Sequence, residues 1–145
     1  MQKIEDNNVK NENEKKKSYL RGYRKHGKRI KRIEAEIEEI RNMKMYPSVN
    51  NDGMPDGSSG HGDLSEYAAR LNELEENLYK EGVQQVEQYK DISWKIQSLE
   101  NEDEKDVLFY RYIKNMEFWN IAQKMGYSER QIHRIHGKAL AHLKI

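Results

Sequence analysis

Apolar and aromatic side chains recur in steps of three and four over two long stretches of this chain. In the first, Tyr19, Tyr23, His26, Ile30, Ile33, Ile37 and Ile40 hold the a/d spacing of a coiled-coil stripe, which predicts a helix over about 15–45. In the second, Leu64, Tyr67, Leu71, Leu74 and Leu78 keep the same alternation; after a phase shift around Gly82 the stripe resumes as Val86, Tyr89, Ile92, Ile96 and Leu99. A second helix is therefore predicted over 64–99. Asp63 stands where it can cap that helix, with Glu66 three residues later in a capping-box-like spacing. Between the two stripes lie Pro47, Asn50-Asn51-Asp52-Gly53, Pro55, Gly57, Gly60 and Gly62, so residues 46–62 are expected to form a flexible loop. Two helices with one narrow apolar seam each fold back most simply as an antiparallel hairpin, about 45 Å long at 1.5 Å per residue. The same seams would also serve intermolecular pairing, and their narrowness predicts a homo-oligomer. Residues 1–14 carry almost no apolar side chains and are expected to be disordered.

The pattern changes after Glu100-Asn101-Glu102-Asp103. Val107 to Ile113 reads as a short apolar-rich helix, and Phe118 to Ile135 has the layout of two short helices around a tight turn. With Phe118 as position one, the small Ala122 stands at five and Gly126 at nine, where a tight turn needs positive φ. Ile121, Ile132 and Ile135 would fill the wedge between the helices. Ser128 would cap the second, leaving Glu129, Arg130, His133 and Arg134 facing outward. The predicted fold is all-α: a disordered 1–14, a long helical hairpin over 15–99, and a separable helix-turn-helix domain over 100–145.

Charge sharpens the picture. The 145 residues carry a formal net charge of only +1, yet Lys15 to Arg32 holds ten Lys/Arg and no Asp/Glu, and Phe118 to Ile145 holds five against Glu129 alone. Two basic segments thus flank an acidic middle. Charged and hydrophobic residues each make up 35%, a balance that fits extended helices better than one thick core. The chain has no cysteine, which excludes disulfides and thiolate metal sites. No long apolar run and no apolar leader segment is present, so a cytoplasmic protein without membrane attachment is expected.

The segment from Glu104 to Leu143 resembles region 4 of the sigma-70 class of sigma factors. The residues that carry this are Ile121-Ala122, Met125-Gly126-Tyr127-Ser128, Arg134-Ile135 and Lys138-Ala139-Leu140. The wider chain is similar to an uncharacterised family of phage and prophage proteins of Gram-positive bacteria, through Tyr19-Leu20, Asp52-Gly53-Met54-Pro55, Asp63-Leu64-Ser65 and Tyr67-Ala68-Ala69. The resemblance implies double-stranded DNA as partner, RNA polymerase as a further one, and regulation of phage genes. Nothing in this chain matches region 2, so it implies a regulator rather than a complete sigma factor. Glu129 stands where the housekeeping pattern has arginine and Arg130 where it has glutamate, so the ordinary −35 sequence is not the expected target. Gly137 stands where the family usually has alanine.

On this reading Glu129, Arg130, His133 and Arg134 read bases, while Ser128, Lys124 and Lys138 meet phosphate. The basic block from Lys15 to Arg32 suits either phosphate contact or a solvated helix face. His133 and His136 stand one turn apart and His142 lies beyond, but no carboxylate or thiolate completes a metal set, and they are assigned to solvent or groove. Asp52, Asp56, His61 and Asp63 fit no calcium-loop template, and Gly57 to Gly62 lacks the ending of a phosphate loop. No nucleophile–base pair or cofactor motif stands out, so a non-enzymatic role is expected. The alternatives are a phage DNA-packaging protein of the small-terminase kind and an adaptor that grips RNA polymerase without DNA.

Overall fold

The computed structural model describes residues 1–45 and 59–145, and within them the chain is all-helical. Helix α1 spans Gln2–Met45, α2 Ser59–Gln97, α3 Glu102–Leu108, α4 Phe118–Met125 and α5 Glu129–His142; a π-helical turn, Phe109–Ile113, continues α3. No helix among the described residues is long and apolar enough to cross a membrane.

Both helix starts differ from expectation. Residues 1–14, expected to be disordered, belong to α1 almost from its beginning. Their side chains are nearly all exposed, so burial does not hold them. Gln, Lys and Glu are good helix formers, and extending a helix already nucleated by packing costs far less than starting one. Of the loop expected over 46–62, residues 46–58 lie outside the described residues, and from Ser59 on the backbone is helical. Asp63, expected to stand at the start of α2, therefore lies inside it. Gly60 and Gly62 fall in its first turn.

The chain divides into two units. One comprises residues 26–84, the other Met1–Lys25 with Gln85–Ile145. In the first, Ile37 and Leu74 are buried, and the flanks are tied by Arg70 to Glu36 at 3.1 Å and Arg41 to Glu75 at 3.1 Å. Glu81 accepts from His26 Nδ1 at 2.7 Å and lies 3.7 Å from Arg29.

The other unit runs across the boundary expected at residue 100 and includes parts of both long helices. Its larger core joins Leu20 of α1, Ile92, Ile96 and Leu99 of α2, Leu108, Tyr112, and Ala139, Leu140 and Leu143 at the end of the chain. Leu20 is fully buried there, and Lys16 Nζ donates to the Leu140 carbonyl at 2.7 Å. Tyr19 adds a hydrogen bond to Asp91, and Tyr23 packs on Tyr89 with ring centroids 5.9 Å apart. A C-terminal segment cut at Glu100 would leave this core without its α1 and α2 walls.

The seam of α2 also differs. Val86 and Tyr89, expected to resume the stripe after a phase shift, are exposed. The alternation instead continues unbroken from Leu78 through Glu81, Gln85 and Gln88 to Ile92, each at least half-buried. Polar side chains occupy the seam because α1 offers partners or space there: His26 for Glu81, and the Tyr19 carbonyl for Gln88 Nε2 at 3.3 Å. Gly22 provides the space, since a Cβ at that position would sit 2.3 Å from Gln88 Nε2.

Candidate nucleic-acid interface

Helix α4 ends as its sequence predicts. Gly126 adopts φ 74°, the left-handed conformation that glycine takes without steric cost, and the Tyr127 N–H donates to the Ala122 carbonyl at 3.0 Å. Ser128 then caps α5. Its Oγ accepts from the Gln131 N–H at 3.2 Å, while the Gln131 side-chain oxygen accepts from the Ser128 N–H at 2.9 Å, a complete capping box. Tyr127 between them donates to Asp103 Oδ2 at 2.6 Å, which fastens the turn to α3 and, with that carboxylate's charge, raises the phenol pKa.

The packing residues come together as expected. Ile121, Ala122 and Ile132 are buried with Val107 in a second core, and Ile135 lies against it, half-buried. Because Ile132, His136, Ala139 and Leu143 turn inward, helical geometry turns Arg130, Arg134 and Lys138 outward. These three, each four residues after the last, form one exposed basic ridge. Among the described residues, none of the three enters an ion pair.

The other residues expected at this surface are placed differently. His133 sits on the flank of α5, its ring 4.3 Å from that of Phe118 and its Nε2 3.6 Å from Glu129. Glu129 and His133 thus engage each other beside the ridge. Lys124 is exposed on α4 and lies over the Tyr110 ring at 5.0 Å. The Ser128 hydroxyl is committed to the cap.

His136, assigned from sequence to solvent or groove, is buried. Its Nε2 lies 2.8 Å from the Tyr112 hydroxyl. Burial, and then the positive charges of Lys17, Arg111, His133 and Arg21, lower its pKa to about 4. His142 does meet a carboxylate: its Nδ1 lies 2.9 Å from Glu104, a buried residue whose backbone N–H is capped by Asn101 at 3.0 Å.

Sequence reasoning missed the stack that positions His133. The Arg111 guanidinium lies 4.3 Å from the Phe118 ring centroid, and Phe118 in turn contacts both His133 and His136. Arg111 also donates to the Met116 carbonyl at 3.0 Å. The π turn places Arg111 and Tyr112, and a five-residue backbone step leaves no apolar periodicity by which to detect it.

The described residues therefore define an all-helical protein whose last helix is capped, anchored on two cores and basic along its outer face. The chain belongs to the family described as protein of unknown function, DUF1492, whose model matches residues 57–144. No curated protein and no solved structure matches it.

Proposed function

We propose that this chain binds double-stranded DNA through α4, the Gly126 turn and α5, used as a helix-turn-helix of the kind found in sigma region 4, and that it regulates transcription of phage genes. The observation that carries the reading is the unpaired ridge Arg130–Arg134–Lys138 on a helix whose start is fixed by the Ser128–Gln131 box. A helix entering the major groove needs such a face, with arginines near its N-terminal end to meet guanine O6 and N7. Arg130 and Arg134 are the base-reading pair; Lys138, one turn further on, meets phosphate. His133 and Glu129, engaged with each other on the flank, contribute at the edge of the groove.

A second copy of the chain belongs to the same proposal, supported by the exposed Trp94 and Trp119 in the unit that carries the ridge. RNA polymerase is the further partner that a region-4-like fold would contact.

The test is selection of bound duplexes from a random DNA library by the full chain, followed by footprinting. A sequence-defined footprint is the expected result. Absence of any selected sequence, with polymerase retained, would replace this reading by that of an adaptor.

A further inference from the structure

The basic segment of α1 divides into faces with different tasks. Leu20 points into the core against Ala139, Leu140 and Leu143, and Lys16 is held by the Leu140 carbonyl. The helix repeat then sets Lys17, Arg21 and Arg24 together on one flank of that buried line, at spacings of four and three. Tyr19 and Tyr23 fall on the opposite flank, where they meet Asp91 and Tyr89 of α2. Arg21 and Arg24 are exposed, and among the described residues neither enters an ion pair. Lys17 has a partner in Glu14 at 2.9 Å, an exposed contact of the kind that contributes little.

Lys17 and Arg21 stand near the buried His136, as does Arg111 of the π turn. Their charge thus collects on the His136 and Leu140 side of α5. A seam residue has no need of this. Nor does solvation of a helix face call for cations gathered from two separate elements around a third.

We infer that Lys17, Arg21 and Arg24 form a phosphate-binding edge on α1 that grips the DNA backbone flanking the groove entered by α5. The inference rests on the DNA-binding reading above. It adds a sequence-independent contact from a helix far from α5 in the chain, fixed to it through Leu20. Contacts of this kind set register and affinity without reading bases, and each phosphate neutralised adds about 0.9 to the salt slope of binding.

The experiment compares the full chain with the triple variant Lys17→Ala, Arg21→Ala, Arg24→Ala, on a selected duplex and on unrelated duplexes, over a series of salt concentrations. Thermal unfolding confirms that the variant is folded. A charge-matched control replaces the exposed Lys80 and Lys90 of α2 and Lys3 at the start of α1 by alanine. The triple variant is expected to lower the salt slope by about 2–3, to weaken binding to all duplexes alike, and to leave the selected sequence preference intact; the control should leave the slope nearly unchanged. A triple variant with the parent's slope would overturn the α1 edge while leaving the α5 reading standing, provided Arg130→Ala and Arg134→Ala still lose sequence preference. Equal losses in the control would also overturn it, by reducing the effect to net charge. If the parent chain bound no duplex at all, both readings would fall together.

Discussion

The Tyr112 hydroxyl and His136 Nε2 lie 2.8 Å apart, with their rings stacked at 5.7 Å, and this contact joins the π turn to the buried side of α5. Burial pushes the Tyr112 pKa up to about 12 and, helped by nearby cations, brings that of His136 down to about 4. At neutral pH the pair is a neutral phenol and a neutral imidazole, joined by one hydrogen bond whose donor is set by the imidazole tautomer. An imidazole whose pKa is lower in the folded than in the unfolded chain favours folding fully above the ordinary 6.5. That contribution is lost as pH falls from there toward about 4. The difference corresponds to roughly 3 kcal/mol. Denaturant titrations across this window should show the decline, and His136→Phe should remove most of it. Parallel pH profiles for parent and variant would refute the assignment.

Two glycines near the ridge should respond oppositely to alanine. Gly126 holds φ 74°, where an L side chain is strained, so Gly126→Ala should destabilise by about 1–2 kcal/mol. Gly137 lies inside α5, and a Cβ there would meet nothing within 4 Å, so Gly137→Ala should stabilise by about 1 kcal/mol through helix propensity. Thermal melts of the two variants suffice; melting shifts of the same sign would show that one of these placements is wrong.

Within the ridge, truncation should separate reading from gripping. Arg130→Ala and Arg134→Ala should each cost about 1–3 kcal/mol of discrimination at one base position while the fold survives. Lys138→Ala should weaken binding to every sequence and lower the salt slope by about 1. Equilibrium binding to the selected site and its single-base variants measures both. Unchanged preference in folded Arg130→Ala and Arg134→Ala proteins would remove α5 from the groove.

Leu20 offers a test of how the C-terminal helices are held. Leu20→Ala empties a fully buried site shared with α5 and should cost about 2–5 kcal/mol. A fragment beginning at Glu100 should show much less helix by circular dichroism than its share of the full chain. A well-folded fragment with a cooperative melt would instead restore the separable domain that the sequence predicts.

What could be read in advance was local. Ala122, Gly126 and Ser128 reveal their roles because a left-handed turn and a helix start each demand particular residues at fixed spacing, and Ser128-Glu129-Arg130-Gln131 spells the capping box outright. The contacts of Leu20 with Leu140 and Leu143 were not legible, since they join residues more than a hundred positions apart and leave no periodic trace. The α2 seam was misread for a related reason. Tracking apolar residues alone favours Val86 and Tyr89, whereas the half-buried positions are Gln85 and Gln88, the latter made tenable by Gly22 and a backbone carbonyl. His136 was misplaced because a histidine between two basic residues on a surface helix gives no sign that Tyr112 awaits it.

The Glu81 carboxylate, set among His26 and Arg29, also restricts how its two helices can slide. A displacement of one heptad would bring it against Ile33 and Glu36, setting the charge on an apolar side chain and beside a like charge. An all-leucine seam would tolerate that slip with little loss. The polar position thus acts as a keyed notch: it gives up some apolar contact and makes the neighbouring alignments unfavourable, so that one register is selected from several of similar hydrophobic content.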